Sequence, residues 1–251
     1  MGKLRIGVFK FTSCSGCQLS MLRVNEQLLN LLNLIDIDYW VMVSDVKGKG
    51  PYDLALVEGS VSTPEEIGEI KEIRSRSRIL VALGDCATYG GLNSIRNYMS
   101  QREVEKLVYE NPTSIRSTTV RPLDYYVDVD IYLSGCPPDT STIVEVIKDV
   151  ALGVPPRLPK YPVCVECKLS ENECLLIKGE PCMGPVIKAG CGALCPNLGR
   201  ICEGCYGPAV DPNAESLLDK WREIGLSERE IVCKLRKYAG LSKEFKRWSG
   251  L

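Results

Sequence analysis

Short apolar runs alternate with helically spaced ones along the first ~155 residues, a pattern that predicts an α/β sheet. The β-rich runs fall at 4–11, 37–43, 52–58, 78–83 and 127–133. Helical spacing fills the gaps at 19–34, 64–75, 101–109 and 141–152. Pro64 opens the second of these with Glu65 and Glu66 behind it, as a helix N-terminus prefers. Ile79-Leu80-Val81-Ala82-Leu83 has no polar interruption, which suits a parallel strand buried on both faces.

The pattern breaks at 153–162, Gly-Val-Pro-Pro-Arg-Leu-Pro-Lys-Tyr-Pro, where so much proline rules out helix and marks a linker. From Cys164 to Pro212 the chain is rich in Cys, Gly and Pro. Its apolar residues are too few to fold it unaided, so bound metal is expected to supply the missing stability. Helical spacing resumes over 213–251, with Ser227-Glu228-Arg229-Glu230 as a cap. The fold class expected is a flavodoxin-like, doubly wound parallel sheet over 1–153. A small Cys-rich irregular domain over 163–212 and a helical C-terminal segment follow.

Charge narrows the partners. The formal net charge is −1, which argues against nucleic acid or an anionic membrane as the main partner. No apolar run is long enough to span a bilayer. The start, Met1-Gly2-Lys3-Leu4-Arg5, does not read as a signal peptide. A cytoplasmic, reducing compartment is expected, where thiols serve more often as metal ligands than as disulfides.

Cysteine changes the picture most. The chain has thirteen cysteines and no histidine. Cys14, Cys17, Cys86 and Cys136 each follow an apolar run, so an open α/β sheet would gather them at one edge. Gly16, Gly84 and Gly135 lie beside them, where a missing side chain lets backbone approach a bulky group. Eight more run as Cys164-x2-Cys167-x6-Cys174-x7-Cys182 and Cys191-x3-Cys195-x6-Cys202-x2-Cys205. Three sets of four thiolates match three iron–sulfur cubanes, split in chain order or interleaved as in two-cluster ferredoxins. Pro181, Pro185, Pro196 and Pro208, spread among the eight, suggest backbone that wraps a cube without forming helix. Two other classes compete: a zinc-stabilised binding module, since zinc also takes four thiolates, and a flavin protein with its phosphate loop at 12–17. Cys233, in the helical pattern 231–238, is expected in the core.

Cys14-Ser15-Gly16-Cys17, Glu58-Gly59-Ser60, Gly84-Asp85-Cys86-Ala87-Thr88-Tyr89-Gly90-Gly91 and Gly135-Cys136-Pro137-Pro138 together resemble the small subunit of [NiFe]-hydrogenases. The resemblance runs to about Pro212. It implies a proximal [4Fe-4S] cluster on Cys14, Cys17, Cys86 and Cys136. A distal cluster would then lie on Cys164, Cys167, Cys174 and Cys182, and a medial one on Cys191, Cys195, Cys202 and Cys205. Many periplasmic members have histidine where Cys164 stands and proline where Cys195 stands, the latter leaving a three-iron cluster. Both departures imply three all-cysteine cubanes. They also imply the cytoplasmic, multi-subunit branch, which includes archaeal sulfhydrogenase delta subunits and the coenzyme F420-reducing and non-reducing enzymes. The 20-kDa subunit of respiratory complex I shares the first domain but typically has adjacent cysteines and lacks the later eight.

The implied role is electron relay between a large subunit that splits hydrogen and a partner carrying flavin or further clusters. NADP or sulfur would stand at the far end. Glu58 is the one acidic residue singled out, for proton exit or as a turn and cap residue.

Overall fold

The computed structural model describes residues 2–23 and 31–250. They fall into two compact units, Met1–Arg157 and Leu158–Leu251.

In the first unit, strands β1 (Leu4–Lys10), β2 (Ile35–Trp40), β3 (Tyr52–Glu58), β4 (Ser77–Leu83) and β5 (Ile131–Leu133) form one sheet in the order β2-β1-β3-β4-β5. Every pairing is parallel. This is the flavodoxin-like order, with its reversal between β1 and β3. Ile6, Leu54, Leu56, Leu80, Val81 and Leu83 are fully buried, as continuous apolar strands covered on both faces must be. Around the sheet lie α1 (Gly16–Leu22), α2 (Pro64–Ser75), α3 (Asp85–Tyr89), α4 (Gln101–Val108) and α5 (Thr140–Ala151). Helix α2 has the expected bounds. Its capping box is complete, with the Thr63 side chain accepting from Glu66 N–H and the Glu66 carboxylate accepting from Thr63 N–H.

Three elements depart from expectation by more than one residue. Strand β2 ends at Trp40, because Val43 N–H and Ser44 N–H turn back onto the Trp40 carbonyl and leave Val41 and Val43 exposed. Strand β5 starts only at Ile131. Val127 N–H is taken by the Leu123 carbonyl, and the Asp130 carboxylate accepts from Leu80 N–H at 2.7 Å, so the ladder begins one residue later. The helix expected over 19–34 begins earlier, at Gly16, and residues 24–30 of it lie outside the described residues.

The second unit has helices α6 (Val163–Leu169), α7 (Leu194–Asn197), α8 (Ala214–Glu223), α9 (Glu228–Arg236) and α10 (Lys243–Ser249). The Cys-rich stretch is therefore not free of helix. Proline allows this: Pro162 precedes α6, and Pro196 lies within α7's single turn, where its missing N–H costs little. Val163, Met183, Val186 and Ile187 are buried, as are Leu217, Leu218, Trp221, Ile231, Leu235 and Phe245 from the terminal helices. The Ser227–Glu230 capping box is formed. Cys233 is exposed, contrary to expectation, because α9 buries its Ile231 and Leu235 face and a residue midway between them points away. Among the described residues no helix is long and apolar enough to cross a membrane.

Candidate metal centres

Cys14 and Cys17 stand in the β1–α1 loop and the first turn of α1, Cys86 in α3 after β4, and Cys136 just beyond β5. All four lie past the carboxyl ends of strands, where open α/β sheets bind ligands. The loops are tied together there. Gly84 N–H donates to the Leu133 carbonyl at 2.8 Å and Asp85 N–H to the Gly135 carbonyl at 3.0 Å. Asn93 Nδ2 reaches the Thr12 carbonyl at 2.8 Å, Ser60 Oγ at 3.1 Å and Cys86 Sγ at 3.7 Å.

Glu58, at the end of β3, is 1% exposed. Its carboxylate accepts from Cys17 N–H at 3.2 Å, from Gln18 N–H at 3.3 Å and from Gln18 Nε2 at 3.1 Å. Gln18 in turn accepts from Trp40 Nε1 at 2.8 Å. A carboxylate on orphan N–H groups at a helix start is a strong anchor. It fixes Cys17. Gln18, Trp40 and Asn93 carry no signal in the sequence, because their roles depend on side chains meeting from different strands.

Burial pushes the Cys17 thiol far up, with the Glu58 carboxylate and the sulfurs of Cys86, Cys136 and Cys14 adding to it. Burial also takes Cys86 up to about 12 and Cys136 up to about 11, with help from Asp85. No arginine, lysine or histidine is among the causes. Thiols crowded like this ionise only if positive charge enters between them, which is what a metal group brings. The backbone leaves it room. A Cβ on Gly84, where φ is +84°, would sit 2.3 Å from Cys17 Sγ.

In the second unit, Cys164 and Cys167 stand on α6, with Cys174 and Cys182 in the loops that follow. Burial raises Cys164 to about 11, reinforced by Cys182, Cys167 and Cys174. Burial also raises Cys182, against donation from the Gly184 and Cys202 N–H groups. Gly184 faces this set, since a Cβ there would lie 3.2 Å from Cys164 Sγ and 3.6 Å from Cys182 Sγ. Cys191 is raised by burial, opposed by the Leu194 and Ala193 N–H groups, with Glu166 and Cys195 adding to the rise. Cys202 is raised by burial, opposed by Gly204 N–H, with Cys182, Cys205 and Cys191 adding. These influences run within the chain-order fours and also between them, since Cys182 is the first sulfur acting on Cys202 and Cys202 N–H donates to Cys182 Sγ at 3.2 Å. Among the described residues, no three His, Cys, Asp or Glu side chains cluster tightly enough to ligate one metal ion.

These twelve cysteines fit iron–sulfur groups: all but the exposed Cys14 are buried or half-buried, and glycine stands where a side chain would intrude. The family model for the NADH ubiquinone oxidoreductase 20 Kd subunit matches residues 14–150. A sulfhydrogenase 2 subunit delta from Pyrococcus furiosus is 39% identical over 238 residues, covering 94% of this chain and 99% of that one. A vhu subunit of the F420-non-reducing hydrogenase of Methanococcus voltae is 34% identical over 236 residues, covering 82% of each chain. Among solved structures, a chain of an NAD+-reducing [NiFe]-hydrogenase superposes with a TM-score of 0.57 at 31% identity, over 63% of this chain and 96% of that one. The Ni-Fe-Se hydrogenase of Desulfomicrobium baculatum, at 18% identity and a TM-score of 0.55 over 86% of this chain and 98% of its own, shares the fold. The family model stops within the sheet unit, whereas the sulfhydrogenase likeness continues through the later cysteines. The chain belongs to the NADH ubiquinone oxidoreductase 20 Kd subunit family and, within it, is the iron–sulfur, electron-transferring small subunit of a [NiFe]-hydrogenase.

Proposed function

We propose that this small subunit relays electrons through three [4Fe-4S] clusters between a hydrogen-activating large subunit and a partner subunit carrying flavin or further clusters. The observation that carries this reading is that Cys14, Cys17, Cys86 and Cys136 act on one another past the strand ends, with eight more cysteines following in the second unit. Residues 1–153 would hold the proximal cluster through Cys14, Cys17, Cys86 and Cys136. Residues 163–212 would hold the distal one through Cys164, Cys167, Cys174 and Cys182, and the medial one through Cys191, Cys195, Cys202 and Cys205. Residues 213–251 would close the second unit.

Bound there, all-thiolate clusters supply one-electron storage at low potential. The chain's own residues do the rest. Buried walls exclude water, Gly84 and Gly184 leave room, and the N–H groups of Ala193, Leu194, Cys202 and Gly204 face sulfurs whose negative charge they offset. Of the two roles assigned to Glu58, its three N–H donors favour the cap over proton exit. Low potential suits a nicotinamide acceptor, NADP first, and the sulfhydrogenase relative supports sulfur as an alternative. A cytoplasmic complex of several subunits is the assembly proposed.

Anaerobic isolation of the native complex tests this. Broad brown absorbance that bleaches under hydrogen is expected, with about twelve irons assigned to each small subunit. A colourless protein containing only zinc, or yellow flavin bands from this chain, would overturn it.

A further inference from the structure

Glu166 lies between Cys164 and Cys167 on α6, yet its side chain serves the other set of four. Oε1 accepts from Gly190 N–H at 2.8 Å and Oε2 from Ala193 N–H at 3.0 Å, with Oε2 4.0 Å from Cys191 Sγ. The loop it grips is bent against its preference. Gly190, Gly192 and Ala193 have φ of +125°, +61° and +51°, and the left-handed region is unfavourable for a residue with a Cβ such as alanine. One carboxylate bridges both sides of Cys191 and so fixes where its sulfur points.

The same carboxylate sets charge beside that sulfur. Its Oε2 lies 4.0 Å from Cys191 Sγ, close enough for the charge to act on whatever that sulfur binds. Negative charge near a cluster lowers its reduction potential and positive charge raises it.

We propose that Glu166 is a positioning residue that clamps the Cys191 loop and, by its charge beside Cys191, lowers the potential of the medial site. The proposal rests on the cluster assignment given under Proposed function. Two readouts separate its failure from the failure of that assignment: iron content and potentials in the intact complex.

Glu166→Gln keeps a side-chain oxygen for one N–H but removes the charge. It should retain full iron, raise the potential of the medial cluster in an EPR redox titration, and leave the distal and proximal potentials in place. Glu166→Asp keeps the charge but is one methylene short. The Gly190 and Ala193 amides should then exchange hydrogen about tenfold faster or more, as expected when bonds to a charged acceptor are lost. Iron lost from the Cys191 set alone in Glu166→Asp would also support the clamp. Three unchanged potentials in Glu166→Gln with full iron, or unchanged exchange in Glu166→Asp, would overturn the proposal. A wild-type complex without iron in its second unit would overturn the cluster assignment, and this proposal with it.

Discussion

The first four cysteines stand just past β1, β4 and β5, on loops and short helices, whereas the other eight lie within one stretch from Cys164 to Cys205. In the sheet unit Ile6, Leu54, Leu56, Leu80, Val81 and Leu83 are fully buried in a core that stands apart from the site, whose one buried cysteine is Cys17 at 8% exposed. In the second unit Cys182 and Cys202 are themselves part of the buried core, 8% and 7% exposed, beside Met183, Val186 and Ile187. A site set on a finished scaffold should survive loss of its ligand. A site whose ligands are also its core should not. Metal binding in the second unit would thus be a folding event, and in the first mostly a filling of space.

Stripping iron with a chelator should separate the two units most. Amides over 163–208 should lose nearly all hydrogen-exchange protection, while those of β3 and β4 keep theirs. Equal loss in both units would remove the distinction. Next in size is Cys17→Ala, which takes one thiolate from the sheet site. About four irons per chain should be lost and hydrogen-dependent dye reduction should collapse, with the sheet still folded by circular dichroism. Wild-type activity would show that Cys17 is no ligand.

Two glycine substitutions sharpen the contrast further. Gly84→Ala forces a Cβ to 2.3 Å from Cys17 Sγ at a φ of +84°, so the sheet site should fail to load. At Gly184 the contacts are 3.2 and 3.6 Å and the backbone is ordinary. Gly184→Ala should load iron but melt about 4–8 °C lower, as a loss of about 1 kcal/mol would give in a unit of this size. Iron content and thermal denaturation of the two variants decide it.

The smallest effect concerns pH. Burial holds Cys86 near about 12 and Cys136 near about 11 in the folded chain, against about 8.5 for an unfolded thiol. Above that lower value the unfolded state binds fewer protons than the folded one, so stability falls as pH rises. The metal-free sheet unit should therefore weaken between about pH 8.5 and 11 in urea titrations. Loading with iron should flatten that dependence, since bound thiolates no longer carry protons. A pH-independent metal-free unit would contradict the burial of these thiols.

Much of the sheet is legible in the sequence because local and long-range signals agree. Pro64 with Thr63 and Glu66 sets α2, and the continuous apolar runs set β3 and β4. The meeting of Cys14, Cys17, Cys86 and Cys136 is legible for a related reason, since each follows a run that ends at the same edge. What escapes the sequence depends on pairings it does not announce. The start of β5 is set by the Asp130 carboxylate on Leu80 N–H, the site's inner bracing by Gln18, Trp40 and Asn93, and the Cys191 loop by Glu166. Short α6 and α7 are missed because seven and four residues are too few to show a helical period. Cys233 is misplaced because a helix spacing alone does not say which face is covered.

The claim that each set of four ligates its own cluster, in chain order, is tested most directly at Cys195. It lies in the single turn of α7, a position at which proline is tolerated. Proline there would reproduce the periplasmic pattern. Iron is to be counted in the Cys195→Pro complex and its oxidised EPR spectrum recorded before any kinetics. The expected result is loss of about one iron per chain and a new three-iron signal, with the other two clusters unchanged. A complex that keeps its full iron and shows no three-iron signal would mean that Cys195 ligates nothing, and the chain-order assignment of the twelve cysteines would fall with it.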